Sequence, residues 1–141
     1  MGVIARQVAV LLCVALLPAI AQAVYLRHKV SWQTPVAAAD MINVRDALAL
    51  GDGVIWLDAR PDAEFEREHV PGAIQLNEDR FNELLPQMLQ VWSPEKKVIV
   101  YCSSQACGAS REVAHRLRNE AGLTNVLVLE GGWEAWAASR R

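Results

Sequence analysis

Three short runs of apolar, largely β-branched residues constrain this chain more than any other feature: Val54-Ile55-Trp56-Leu57, Val98-Ile99-Val100-Tyr101 and Val126-Leu127-Val128-Leu129. Each lacks the alternation of a half-exposed strand, so each reads as a strand buried on both faces. Ala73-Ile74-Gln75-Leu76 is a further strand candidate. Between these runs lie segments of helical period. Phe81, Leu84, Leu85, Met88 and Leu89 recur at three and four, with Pro86 predicting a kink or break. Val113, Ala114, Leu117 and Ala121 share one face of a second helix that ends at Gly122. Strands alternating with helices specify an α/β domain, a small central parallel sheet flanked by helices.

Shorter elements complete the pattern. Asn43 caps a helix over residues 44–50, with Asp46 as the reciprocal partner and Gly51 as the stop. Residues 62–68 form a charged helical turn, and His69-Val70-Pro71-Gly72 breaks the chain before the next strand. Gly131-Gly132 is another breaker, followed by a short helix over residues 133–139 that sets Trp133 and Trp136 on one face.

At 141 residues and 52% hydrophobic content, one core suffices and the composition is that of a globular chain. The amino-terminal end departs from this. Residues 8–26 carry no charge over nineteen positions, close to the roughly 20 that cross a bilayer core. Arg27-His28-Lys29 closes the run like a membrane-edge anchor, which favours a single-pass membrane protein with one apolar amino-terminal helix. The competing reading is export after cleavage near Ala23, since Ala21-Gln22-Ala23 fits a signal-peptidase site. The expected organisation is an anchor or signal over 1–29, a linker over 30–39 containing Pro35, and the α/β domain over 40–141. The tryptophans at 56, 92, 133 and 136 are read as packing residues.

A net charge of −2 without a basic cluster argues against nucleic acid as a partner, because phosphate neutralisation needs grouped Lys and Arg. Three cysteines, Cys13, Cys102 and Cys107, are too few for a disulfide scaffold. Cys13 lies in the apolar run and reads as a small hydrophobe. Cys102 stands at the end of a strand, where α/β sheets bind ligands. The small residues after it, Ser103, Ser104, Gln105, Ala106, Cys107 and Gly108, can turn backbone N–H groups inward beside a helix start and cradle an anion. That field favours a thiolate, so the Cys102 pKa is expected to move down, with its sulfur exposed at the mouth of the loop. Cys102, Cys107 and His115 have irregular spacing and no fourth ligand, so no metal and no cofactor are expected. His69 and His115 read as a turn residue and a helix-surface residue.

Asp58-Ala59-Arg60, His69-Val70-Pro71-Gly72-Ala73, Val100-Tyr101-Cys102 and Glu130-Gly131-Gly132-Trp133-Glu134-Ala135-Trp136 occur together and in order, and with them the chain resembles the rhodanese family over roughly residues 40–139. The resemblance implies a sulfurtransferase in which Cys102 attacks the outer sulfur of a donor such as thiosulfate, becomes a persulfide, and passes the sulfur to a thiol or to cyanide. Asp58 and Arg60 match the family's Asp-x-Arg strand end and imply a supporting role. Many members carry an arginine five residues past the cysteine. Here Cys107 holds that position, the first arginine is Arg111, and Gly108 stands where proteins of the Cys-x5-Arg pattern have theirs, which speaks against a phosphatase. Cys107 also opens a second reading, a thiol redox or persulfide relay in which it resolves the Cys102 persulfide. A third is a catalytically silent binding module.

Overall fold

The computed structural model describes residues 40–104 and 108–141, together with Gly2, Arg6 and Gln7. The chain divides into the units Met1–Trp32 and Gln33–Arg141, and the architecture that follows belongs to the second. In chain order its elements are β1 (Met41–Ile42), α1 (Val44–Ala49), β2 (Val54–Asp58), α2 (Asp62–Arg67), β3 (Ile74–Gln75), α3 (Phe81–Val91), β4 (Lys97–Tyr101), α4 (Ala109–Asn119), β5 (Val126–Leu129) and α5 (Gly132–Ala138). The five strands form one sheet in the order β1-β5-β4-β2-β3, and every pairing is parallel. β4 is therefore the central strand, and its apolar run is covered on both sides, as a doubly buried strand requires.

Alternation along the strands divides the core in two. Ile55, Leu57, Val98 and Val100 face α3 and α4, where Phe81, Met88, Val113, Ala114 and Leu117 meet them. Ile99, Tyr101 and Leu129 face the opposite side, against Ala47 of α1, Val70 and Trp136 of α5. Trp133 and Trp136 stack with ring centroids 5.1 Å apart, so the paired tryptophans of α5 do serve packing.

The Asn43 cap forms: its Oδ1 accepts the Asp46 N–H at 3.0 Å, and its Nδ2 donates to Asp46 Oδ2 at 2.8 Å. The sequence pattern marks no strand at β1, where Met41 and Ile42 pair with Val128 and Leu129 and the Glu130 N–H donates to the Ile42 carbonyl at 2.9 Å. Of the kink or break expected at Pro86, the break does not occur, because α3 runs through it from Phe81 to Val91. The helix keeps Phe81 and Met88 buried on either side of the proline, and that shared apolar face holds the helix across the missing N–H. The apolar stretch 8–26 and the linker 30–39 lie outside the described residues. Among the described residues no helix is long and apolar enough to cross a membrane.

Candidate active site

Tyr101 ends β4 and turns to the α1/α5 face, so Cys102, the next residue, turns to the α3/α4 face. It leaves the central strand at its carboxyl edge, and α4 begins seven residues later. Two of the groups that meet the sulfur are polar atoms of Ser104 and Ser110. The Cys102 thiol donates to the Ser104 carbonyl oxygen at 3.3 Å, and the Ser110 hydroxyl donates to Sγ at 3.4 Å. Cys102 is only 1% exposed and belongs to the apolar cluster with Val100, Val113 and Ala114. The expectation of a sulfur open at the mouth of the loop is thereby corrected, because strand alternation directs this side chain under the start of α4. At Ser104 the group meeting the sulfur is a carbonyl rather than an N–H.

The loop's first residues are tied to other elements. The Trp133 N–H donates to the Cys102 carbonyl at 2.7 Å and the Glu134 N–H to the Ser103 carbonyl at 3.2 Å, so the first turn of α5 grips the backbone beside the cysteine. Gly131 and Gly132 allow this approach, with φ of 71° and 57°. A Cβ on Gly132 would stand 2.3 Å from the Cys102 carbonyl oxygen and 3.2 Å from the Ser104 nitrogen. The Ser103 hydroxyl donates to Glu64 Oε2 of α2 at 2.9 Å, which commits it away from the sulfur.

Asp58 and Arg60 form a buried ion pair, 0% and 4% exposed, with Arg60 Nη2 2.6 Å from Asp58 Oδ2. Arg60 also donates through Nη2 to the Glu68 carbonyl at 2.6 Å and lies 3.8 Å from Glu64. Its guanidinium carbon stands 4.6 Å over the Trp133 ring and 5.6 Å over Tyr101. Burial acts to lower the Arg60 pKa, but the hydrogen bond and charge of Asp58 outweigh it and hold it above its ordinary value. Burial likewise pushes the Tyr101 phenol up, and its oxygen accepts the Val70 N–H at 3.1 Å. The pair thus joins β2, α2 and α5, and Glu64 carries that connection to Ser103.

A cleft of about 230 Å³ opens between α2 and α5, lined by Arg60, Glu64, Arg67, Ser103, Trp133 and Glu134 among others. It reaches Ser103 but not Cys102, whose sulfur faces the other side of the sheet.

Of the residues singled out in the sequence, the structure gathers Asp58, Arg60, Cys102, Ser103, Ser104 and Gly108 at the carboxyl edge, with Gly108 preceding α4 and Arg111 in that helix's first turn. Gln105, Ala106 and Cys107 lie outside the described residues. His115 is exposed on α4, and His69 stacks on Phe65 while its Nδ1 lies 2.8 Å from the Phe65 carbonyl. Among the described residues no group of His, Cys, Asp and Glu could hold a metal ion.

Glu64 and Ser110 were not singled out, and Gly132 was named as a breaker and a motif residue but not as part of the site. Ser110 had a signal, being the polar member of the stripe that continues to Val113, Ala114 and Leu117. Gly132 had one too, as the second glycine of a pair directly before a helix. Glu64 had none, since its partner is 39 residues away.

A parallel sheet whose middle strand delivers a cysteine into a loop ending at a helix start defines an α/β domain built around a thiol. Residues 38–139 match the rhodanese-like domain, and the chain belongs to that family. It is 31% identical over 111 residues to the tRNA uridine(34) hydroxylase of Sodalis glossinidius, covering 76% of this chain and 31% of that protein. The chain therefore spans about a third of that relative's length. A Bacillus halodurans protein of known structure superposes with a TM-score of 0.59 at 26% identity, over 87% of this chain and 82% of that one. The thiosulfate sulfurtransferase of Pseudomonas aeruginosa gives a TM-score of 0.56 at 26% identity, over 72% of this chain and 18% of that one.

Proposed function

We propose that the domain is a sulfurtransferase that carries a sulfane sulfur on Cys102, with a small sulfur-containing anion as donor and a thiol or cyanide as acceptor. The observation that carries the reading is Cys102 itself, placed at the carboxyl end of the central strand with the Ser110 hydroxyl on its sulfur. Membership of the rhodanese family and likeness to a thiosulfate sulfurtransferase support it.

With thiosulfate, the Cys102 thiolate attacks the outer sulfur, the sulfur–sulfur bond of the donor breaks, and its electron pair leaves with sulfite. The new bond leaves a persulfide anion on Cys102. Cyanide then attacks the terminal sulfur, departs as thiocyanate and returns the thiolate, so one hard displacement becomes two easier ones. The test is thiocyanate formation by the full chain, with intact mass recorded after thiosulfate alone. The expected result is a gain of one sulfur atom, lost in Cys102→Ser and retained at least in part in Cys107→Ser. No added sulfur and no thiocyanate overturn the reading.

The same mass measurement separates the alternatives. In a relay, Cys107 attacks the Cys102 persulfide, hydrosulfide leaves, and the product is a disulfide two hydrogens lighter than the reduced chain. A binding module shows neither change. The likeness to a tRNA uridine(34) hydroxylase favours a second reading, a domain that serves tRNA modification. A chain of net charge −2 has little of the electrostatic attraction that tRNA binding needs, so a salt-dependent tRNA complex is the result that would favour it.

A further inference from the structure

Ser110 is the second residue of α4 and 3% exposed, on a face otherwise apolar through Val113, Ala114 and Leu117. A hydroxyl buried in such a stripe is costly unless it finds a partner, and here the partner is the cysteine sulfur at 3.4 Å. The Ser104 carbonyl and the Ser110 hydroxyl act on that sulfur in opposite directions. The Ser104 carbonyl accepts the thiol hydrogen, so it favours the neutral thiol and opposes an anion. The Ser110 hydroxyl brings a hydrogen to the sulfur, and that bond strengthens when the sulfur becomes charged.

We propose that Ser110 is a catalytic residue, the hydroxyl that stabilises negative charge on the Cys102 sulfur in the attacking thiolate and in the thiolate that leaves when the sulfur is handed on. The assignment rests on the sulfur-transfer reading. On ionisation the Cys102 proton passes to water, while Ser110 keeps its own proton and only donates a hydrogen bond. Charged and titratable groups on the elements around the site include Asp58 on β2 and Arg60 after it, Asp62, Glu64, Glu66 and Arg67 on α2, Glu83 on α3, Arg111, Glu112, His115, Arg116 and Arg118 on α4 and Glu134 on α5. They are the same in every variant below, so their fields cancel in the comparison.

The test is the pH dependence of Cys102 alkylation by iodoacetamide in the full chain, read by mass spectrometry on the Cys102 peptide so that Cys107 is counted separately. Ser110→Ala should raise the midpoint by roughly one pH unit and slow alkylation at neutral pH by about tenfold, the weight of one hydrogen bond to a charged group. Ser110→Thr keeps the hydroxyl and should keep the midpoint close to wild type. An unchanged midpoint in Ser110→Ala overturns the proposal. So does an equal shift in both variants, which would assign the effect to packing, or a wild-type Cys102 that is not alkylated at any pH where the chain stays folded. Thiocyanate formation is measured on the same samples. A shifted midpoint without turnover in wild type sinks the sulfur-transfer reading and leaves the donor in place, whereas turnover with an unshifted midpoint does the reverse.

Discussion

Arg60 ties separate parts of the domain together through one guanidinium, which meets Asp58 on β2, the Glu68 carbonyl after α2, Glu64 within α2, the Tyr101 ring on β4 and the Trp133 ring on α5. A charge this enclosed tolerates the apolar surroundings only because Asp58 answers it. Asp58→Asn keeps the shape and removes the countercharge, so it should destabilise the domain by about 3 kcal/mol, measurable by urea unfolding. Asp62 poses a different case, on the surface. Its carboxylate accepts hydrogen bonds from Arg80 at 2.7 Å, Asn77 at 2.8 Å and Gln75 at 2.7 Å, and the Arg80 bond leads in holding its pKa below the ordinary 3.8. A depressed carboxyl contributes stability above its unfolded pKa and loses it as pH falls through the folded one. The stability gap between wild type and Asp62→Asn should therefore be present at neutral pH and close below about pH 4. A gap that persists undiminished in acid would assign the effect to something other than charge.

At the scale of elements, α5 acts on the cysteine through backbone alone. Gly132→Ala places a methyl group against the Cys102 carbonyl, where a Cβ would stand 2.3 Å from backbone oxygen and no flexible side chain can yield. The first turn of α5 must then lift from the loop, releasing the Trp133 and Glu134 hydrogen bonds. The expected outcome is a loss of Cys102 reactivity of at least about tenfold with the sheet intact, since a small misplacement of a reacting group is costly. Alkylation kinetics alongside far-ultraviolet circular dichroism check it. Such contacts explain what the sequence could tell and what it could not. Strands β2, β4 and β5 announce themselves because their own residues are β-branched and unalternated. β1 is two residues long and is a strand only because β5 lies beside it. The position of Cys102 followed from the end of β4, whereas the direction of its sulfur depended on where α4 packs. Ser103 is similar: its hydroxyl went to Glu64, a partner that local pattern does not name.

For the whole molecule, the sequence expectation that residues 8–26 anchor the chain is checked by carbonate extraction of membranes from cells making it. An anchored chain stays in the pellet and keeps its amino terminus. A chain released in soluble form, beginning after Ala23, would support cleavage and export instead. The strand order carries a further consequence, for synthesis. β5 is the last strand to be made, yet it sits inside the sheet, between β1, the first, and β4. A nascent chain on the ribosome can hold β2, β3 and β4 together, but both neighbours of β5 wait with open edges until residue 129 has emerged. The helix start that secures the cysteine loop comes later still. The thiol is thus born in an incomplete setting and acquires its final surroundings only near the close of translation, which makes this stretch of synthesis the time when the chain most needs shielding.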